Sequence, residues 1–172
     1  ELVIAADALV AGVHFLSDDP PDLVARKLLR TNLSDMAAMG ASPFGYLITV
    51  SVPRATPDAW FEAFAAGLAA DQAEYGVTLL GGDTTSTPGP VSLSLTILGS
   101  VLPGHALGRA GARVGDDIWV SGSIGDGALG LLAAQGALDD PTGYLADRYR
   151  LPRPRLALGA ALTHPHITTD FS

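Results

Sequence analysis

The chain has 172 residues, 10 basic and 18 acidic side chains, a formal net charge of −8 and no cysteine. The absence of cysteine excludes disulfide bonds, cysteine-ligated zinc and thiol catalysis. The negative net charge argues against a surface that binds nucleic acid or anionic membranes. The apolar fraction of 48% is sufficient for a folded core, and no apolar run reaches the length of a transmembrane helix.

Hydrophobic periodicity over the first hundred residues alternates between strand and helix patterns. In chain order it predicts a strand at 2–10, a helix at 23–39, a strand at 44–52, a second helix that carries Trp60, Phe61, Phe64 and Leu68, a short strand at 77–80 and a strand at 91–102. This order predicts an α+β fold of the split-βαβ type, with helices on one face of a mixed sheet.

A second unit follows a connector at 104–115 that contains several glycines and arginines. Its predicted elements are a strand at 118–120, a helix at 128–138, helical pieces within 144–162 and the start of a strand at 167–171. We therefore expect an N-terminal domain over 1–112 and the beginning of a second α/β domain over 113–172. The sequence begins within a strand pattern and stops without an evident cap, so we expect a fragment of a longer protein that lacks both ends.

Four aspartates occupy positions where an ionised carboxylate is costly. Asp7 lies in an apolar strand, Asp35 lies in the middle of a helix, and Asp83 and Asp170 each end an apolar strand. Buried carboxylates need hydrogen bonds, a paired cation or a metal ion, and the chain contains a single lysine. The set therefore favours oxygen-ligated Mg²⁺, while the alternative is that each aspartate forms a turn or caps a helix.

Two glycine-containing segments could contact a phosphate. The segment Gly81–Thr85 is predicted to be a loop directly after a strand, with Asp83 placed to hold the magnesium of a bound phosphate. Arg109 lies in the flexible connector, from which its guanidinium could clamp a phosphate. The segment Gly125–Gly130 matches a dinucleotide fingerprint, but no strand ending in an acid follows at the required distance, so it indicates a turn before a helix.

The order and spacing of these segments resemble the thiamine-monophosphate kinase family, within the aminoimidazole-ribonucleotide-synthetase-like superfamily. The resemblance runs through five blocks along the whole chain: Asp7–Phe15, Asn32–Ala41, Gly81–Thr85, Arg109–Asp116 and Thr169–Ser172. It implies ATP-dependent phosphorylation of thiamine monophosphate to thiamine diphosphate, a step of thiamine diphosphate biosynthesis. The transfer would be direct and in line, with several Mg²⁺ ions and no covalent intermediate.

The resemblance also assigns roles to individual residues. Asp35 and Asp83 would act in catalysis only by positioning metal and phosphate. His14, which by itself is more typical of a structural histidine, would contact the substrate. The implied magnesium ligands are Asp7, Asp35, Asp83 and Asp170, and the implied ATP contacts are Gly82, Asp83, Arg109 and Ser172. A homodimer formed through the N-terminal domains and a cytoplasmic location are also implied.

This sequence departs from the family at several points. Ala5 and Ala6 stand where relatives usually carry a serine and a threonine that help to bind metal. An acidic segment before residue 1 and substrate-binding segments beyond residue 172 are missing, so we expect this chain alone to be inactive. The alternatives are another ATP-dependent enzyme of the superfamily, of the aminoimidazole ribonucleotide synthetase or selenophosphate synthetase type, and a non-catalytic, dimerising, nucleotide-binding fragment.

Overall fold

The computed structural model describes residues 1–163. The elements are β1 (Leu2–Val10), α1 (Pro21–Ala38), β2 (Ser42–Pro53), α2 (Asp58–Tyr75), β3 (Thr78–Thr87), β4 (Ser92–Ser100), α3 (Asp126–Ala134), α4 (Tyr144–Arg150) and α5 (Leu156–Leu162). Among these residues, no helix combines the length and apolarity needed to cross a bilayer.

The four strands form one mixed sheet in the order β1-β4-β2-β3. Strand β4 runs antiparallel to both of its neighbours, and β2 and β3 are parallel. Strands β1 and β3 are therefore the two edges of the sheet. This arrangement confirms the predicted α+β fold with a mixed sheet.

Alternation along the strands divides the sheet into a covered and an uncovered face. Leu93, Leu95 and Ile97 of β4 are buried, whereas Ser94 between them is exposed. The covered face packs against α1, whose side chains Leu28, Leu29 and Leu33 have no exposed surface. Helices lie on one face, as predicted, and the site is organised around this single apolar layer.

The prediction of a loop at Gly81–Thr85 is wrong, because the whole segment belongs to β3. It continues the parallel ladder with β2, in which Gly82 pairs with Ile48 and Asp83 pairs with Thr49. Gly82 has a φ of +157°, and a Cβ there would lie 1.8 Å from the Ile48 carbonyl oxygen. Glycine is thus required by close approach of two backbones within the sheet, and not by a turn.

The predicted strand at 118–120 is also wrong. Residues 101–125 have no regular secondary structure, and Ile118 and Trp119 are 91% and 88% exposed. A strand requires a neighbouring strand to complete its backbone hydrogen bonds, and among residues 1–163 this segment pairs with none. The predicted helical pieces at 144–162 are confirmed as α4 and α5, while the predicted strand at 167–171 lies outside the described residues.

Helices from the second half of the chain pack on α1. Helix α5 lies against the end of α1 so closely that a Cβ on Gly159 would be 2.0 Å from the Ala37 carbonyl oxygen. Helix α4 packs against α3 and reaches the segment before α1, where Arg150 Nε donates to Asp19 Oδ1 at 2.7 Å. The surroundings of α1 therefore come from both halves of the chain.

A buried ion cluster joins α1 to α2. Asp71 has no exposed surface, and its carboxylate accepts two hydrogen bonds from Arg30, at 2.7 and 2.9 Å, and one from Arg26 at 2.8 Å. Arg30 also donates to Glu74 at 2.7 Å. Bidentate pairing of this kind is geometrically specific, so the cluster fixes how α2 crosses α1.

We expect Asp71→Ala to lower the free energy of unfolding by about 3–5 kcal/mol, because Arg30 is left buried without its main partner. Glu74→Ala is the matched control and should cost less than about 1 kcal/mol, since half-exposed ion pairs contribute little. Urea unfolding followed by circular dichroism measures both. Equal losses for the two variants would contradict the interpretation.

Candidate functional site

Asp7 of β1 and Asp35 of α1 form a carboxylate pair between the sheet and its helix layer. Asp7 pairs directly with Leu95, which has no exposed surface, so Asp7 lies on the covered face. Burial and the negative charge of Asp7 raise the pKa of Asp35, and the positive charge of Arg109 lowers it. The structure therefore brings together three of the predicted site residues: Asp7, Asp35 and Arg109.

A cavity of about 170 Å³ opens beside this pair and is lined by Asp35, Arg109 and Ala5. The connector that carries Arg109 is held near the end of α1, because the Leu107 N–H donates to the Met39 carbonyl oxygen at 3.1 Å. Ala5 lies on β1 at one of the two positions where the family usually carries a hydroxyl. Its methyl side chain carries no oxygen atom that could bind a metal ion. The side-chain oxygens on this side of the cavity therefore come from the carboxylates.

Asp83 lies far from the carboxylate pair within one chain. Across the sheet, Asp83 pairs with Thr49, Thr49 pairs with Ser94, and Ser94 pairs with Ala8. Residues that pair directly point to the same face, and Ser94 and Ala8 are exposed residues of the uncovered face. Three strand spacings separate β3 from β1, a distance of about 14 Å across the sheet. Asp83 is thus at the opposite edge of the sheet and on the opposite face from Asp7.

A second cavity, of about 410 Å³, adjoins Asp83 at the end of β3. Its lining includes the hydroxyl-bearing residues Thr84, Thr85 and Ser86, the basic residue Arg54 and the ring of Phe61. The Thr84 N–H donates to Asp83 Oδ1 at 2.8 Å. Hydroxyls, a guanidinium and an aromatic ring form a surface suited to a phosphorylated ligand with an apolar or aromatic part.

His14 lies in the turn formed by residues 11–15, directly after β1. The Val10 N–H donates to His14 Nδ1 at 3.0 Å, and the Val10 carbonyl oxygen accepts from the His14 N–H at 2.9 Å. The ring itself is exposed. His14 is therefore fixed at its backbone and at one ring nitrogen, and its other ring nitrogen is available to a ligand.

The remaining predicted site residues, Asp170 and Ser172, lie outside the described residues. Among residues 1–163, no three histidine, aspartate or glutamate side chains lie close enough together to hold a metal ion. The carboxylate pair nevertheless suits Mg²⁺, which proteins bind through one or two carboxylates together with substrate phosphates. A divalent cation would also relieve the repulsion that raises the pKa of Asp35.

Sequence reasoning missed four residues that surround the His14 turn: Asp19, Lys27, Tyr149 and Arg150. Lys27 Nζ donates to the His14 carbonyl oxygen at 2.9 Å and lies 3.6 Å from the centre of the Tyr149 ring. Asp19 connects to both Tyr149 and Arg150. The only signal in the sequence was that Lys27 is the single lysine of the chain.

The region that contains the sheet matches a known protein family. Residues 1–101 match the family described as AIR synthase related protein, N-terminal domain. This range includes Asp7, His14, Asp35 and Asp83, and it ends before Arg109.

Several thiamine-monophosphate kinases are similar to this chain in sequence and in structure. The enzyme of Caulobacter vibrioides is 50% identical over 173 residues, which cover 100% of this chain and 49% of the relative. The crystal structure from Stenotrophomonas maltophilia superposes with a TM-score of 0.86 at 43% identity, covering 95% of this chain and 53% of that one. AaThiL complexed with AMPPCP and TMP gives a TM-score of 0.84 at 29% identity, covering 94% and 52%. The chain thus spans about half the length of these relatives.

The charge environment of Asp35 leads to a prediction about its titration. Asp7→Asn should lower the pKa of Asp35 by removing a nearby negative charge, and Arg109→Met should raise it by removing a positive one. Carboxyl ¹³C NMR in the presence of a chelator measures both shifts. Asp139→Asn is the control and should leave the pKa of Asp35 unchanged, since this exposed loop carboxylate is not among the charges that shift it.

Proposed function

Because the chain belongs to the AIR synthase related proteins through its N-terminal domain at 1–101, we propose that it is part of an ATP-dependent kinase that converts thiamine monophosphate to thiamine diphosphate. The observation that carries the proposal is the half-buried carboxylate pair beside Arg109, in a chain that aligns along its whole length with a thiamine-monophosphate kinase. The division into units at 1–112 and 113–172 remains part of this proposal.

Phosphoryl transfer requires positioning and charge neutralisation more than a nucleophile from the protein. In the proposed reaction, Asp7 and Asp35 hold Mg²⁺, which would neutralise charge on the transferred phosphoryl group. Arg109 faces the same cavity and can bind a phosphate oxygen. Asp170 and Ser172 are proposed to complete the metal and ATP contacts.

His14 is proposed to contact thiamine monophosphate. The turn that carries it follows β1 directly, and His14 lies four residues after Val10, where the strand ends. Substrate held at His14 would therefore extend along the end of β1 towards the carboxylate pair. This places the acceptor phosphate and the metal ligands on one edge of the sheet.

Asp83 and Gly82 are proposed to contact ATP together with the neighbouring 410 Å³ cavity. Their distance from Asp7 and Asp35 means that one chain does not bring the two groups together. We propose that a second copy does so, in a homodimer whose sheets join. Since β1 and β3 are the two edges of the sheet among residues 1–163, joining β3 of one copy to β1 of the other would bring the edge that carries Asp83 next to the edge that carries Asp7 in the other copy, with the two side chains on opposite faces of the joined sheet.

The uncovered sheet face supports this dimer. Leu2, Ile4 and Leu47 lie on it and are 57%, 58% and 46% exposed. Contiguous exposed apolar residues of this kind mark interaction surfaces, and two unpaired strand edges favour pairing with another strand. A second copy offers both an apolar face and matching edges, as expected for a symmetric dimer.

We expect the full-length protein that contains this chain to consume ATP only when thiamine monophosphate and Mg²⁺ are both present. Asp35→Asn should abolish turnover by removing a proposed metal ligand. Asp139→Asn makes the same chemical change at an exposed loop position and should leave turnover unchanged. A coupled assay for ADP release measures the turnover of the wild-type protein and of both variants. Equal ATP consumption with and without thiamine monophosphate would refute the kinase assignment.

Mixing two inactive variants tests whether the site is shared between copies. We expect Asp35→Asn and Asp83→Asn full-length proteins, co-refolded at equal amounts, to recover about a quarter of wild-type turnover, because half of the dimers are mixed and each mixed dimer has one intact site. A site contained within one chain would recover no activity, since each chain would carry one lesion. Wild-type protein refolded in the same way sets the reference value.

A further inference from the structure

Lys27 is the single lysine of the chain. It lies on α1, half-buried, with its ammonium 3.6 Å from the centre of the Tyr149 ring of α4. From there Nζ donates to the His14 carbonyl oxygen at 2.9 Å. An ammonium on the face of an aromatic ring and in contact with a carbonyl oxygen is held in one position, so Lys27 connects α4 to the His14 turn.

A second residue, Asp19, holds the chain directly after the His14 turn. Asp19 is buried, and its carboxylate accepts from the Leu16 N–H at 2.9 Å, from Arg150 Nε at 2.7 Å and from the Tyr149 hydroxyl at 3.3 Å. Asp19, in the segment between β1 and α1, and Lys27, on α1, therefore both contact α4. These contacts span about 130 positions in the sequence, and none of them involves the carboxylate pair.

A hydrogen bond within the turn determines which ring nitrogen of His14 a ligand meets. Because His14 Nδ1 accepts a hydrogen bond from the Val10 N–H, the neutral ring carries its proton on Nε2. The ring is exposed, so Nε2–H is a hydrogen-bond donor directed away from the backbone. A donor fixed in this way suits an anionic oxygen of the substrate.

We propose that Lys27 is a positioning residue that holds the His14 turn, so that His14 Nε2–H is presented to a phosphate oxygen of the substrate. This inference rests on the proposed function for the identity of the substrate, thiamine monophosphate. The turn geometry itself does not depend on that identity. Lys27 acts through the His14 backbone and does not touch the reacting atoms.

The charge state of Lys27 provides an independent test. Burial lowers the pKa of Lys27 to about 8, with Asp19 acting to raise it and Arg150 to lower it. The other groups that face Lys27 are the His14 carbonyl and the Tyr149 ring, and burial raises the pKa of the Tyr149 hydroxyl to about 12. Lys27 thus holds a proton below pH 8 and loses it above pH 8, while Tyr149 stays neutral. The substrate phosphate is fully ionised well below this range.

The experiment compares full-length wild-type protein with Lys27→Met, Lys27→Arg and the control Arg153→Met, which changes an exposed basic residue. At pH 7, Lys27→Met should raise KM for thiamine monophosphate about tenfold, through loss of a charge-assisted hydrogen bond, and leave kcat and KM for ATP unchanged. Lys27→Arg and Arg153→Met should retain the wild-type KM.

Between pH 7 and 9.5, the wild-type KM for thiamine monophosphate should rise as Lys27 loses its proton, whereas the KM of Lys27→Arg should stay low because a guanidinium remains charged. A fall in kcat at constant KM, or identical pH profiles for wild type and Lys27→Arg, would overturn the proposal.

Imidazole ¹⁵N NMR of His14 separates this inference from the proposed function. Wild type should show an unprotonated Nδ1 and a protonated Nε2, and Lys27→Met should show a mixture of the two tautomers, whether or not the protein turns over thiamine monophosphate. Unchanged His14 signals in Lys27→Met would refute the positioning role. Absence of wild-type turnover with the expected His14 signals would refute the proposed function alone.

Discussion

Helix α1 lies on the sheet through an apolar face that includes Leu28, Leu29, Leu33 and Met36, all of them without exposed surface. The same helix carries Asp35 beside β1, Lys27 beneath the His14 turn and Arg30 in the ion cluster with α2. A helix repeats every 3.6 residues, so fixing one face in the core fixes the direction of every other side chain. The packing of α1 therefore sets the position of the carboxylate pair, the position of Lys27 below the His14 turn and the angle at which α2 crosses α1.

The sequence was sufficient to predict those features that depend on local patterns. The helical period around Leu28 and Leu33 predicts α1, and an acid in the middle of that helix indicates a carboxylate near the core, where the structure has Asp35. The segment Gly81–Thr85 was predicted to be a loop because glycine is unfavourable in strands. The parallel ladder with β2 overrides that preference, since the backbone at Ile48 approaches too closely for any side chain at position 82. This error also concealed that Asp83 faces away from the other carboxylates.

Contacts between distant parts of the chain were not predictable in the same way. Asp19 and Arg150 are 131 positions apart, and neither belongs to a periodic pattern that would indicate a partner. Arg148 lies 3.7 Å from Asp126, and Arg150 pairs with the buried carboxylate of Asp19. Pairings of this kind depend on where α4 packs, which depends in turn on the core that α1 forms with the sheet.

The distribution of the ion pairs explains how an acidic chain can serve a polyphosphate reaction. Arg26, Arg30 and Arg150 pair with Asp71 and Asp19, which are buried carboxylates outside the pair formed by Asp7 and Asp35. Asp7 and Asp35 instead face each other, with Arg109 as the positive charge that acts on Asp35. Protein cations are thus committed to the fold, and the carboxylate pair is left with an excess of negative charge that a divalent ion can balance. Under the proposed function, a phosphate brought to this edge would add further negative charge, and Mg²⁺ bound together with it would balance that charge in a chain of net charge −8.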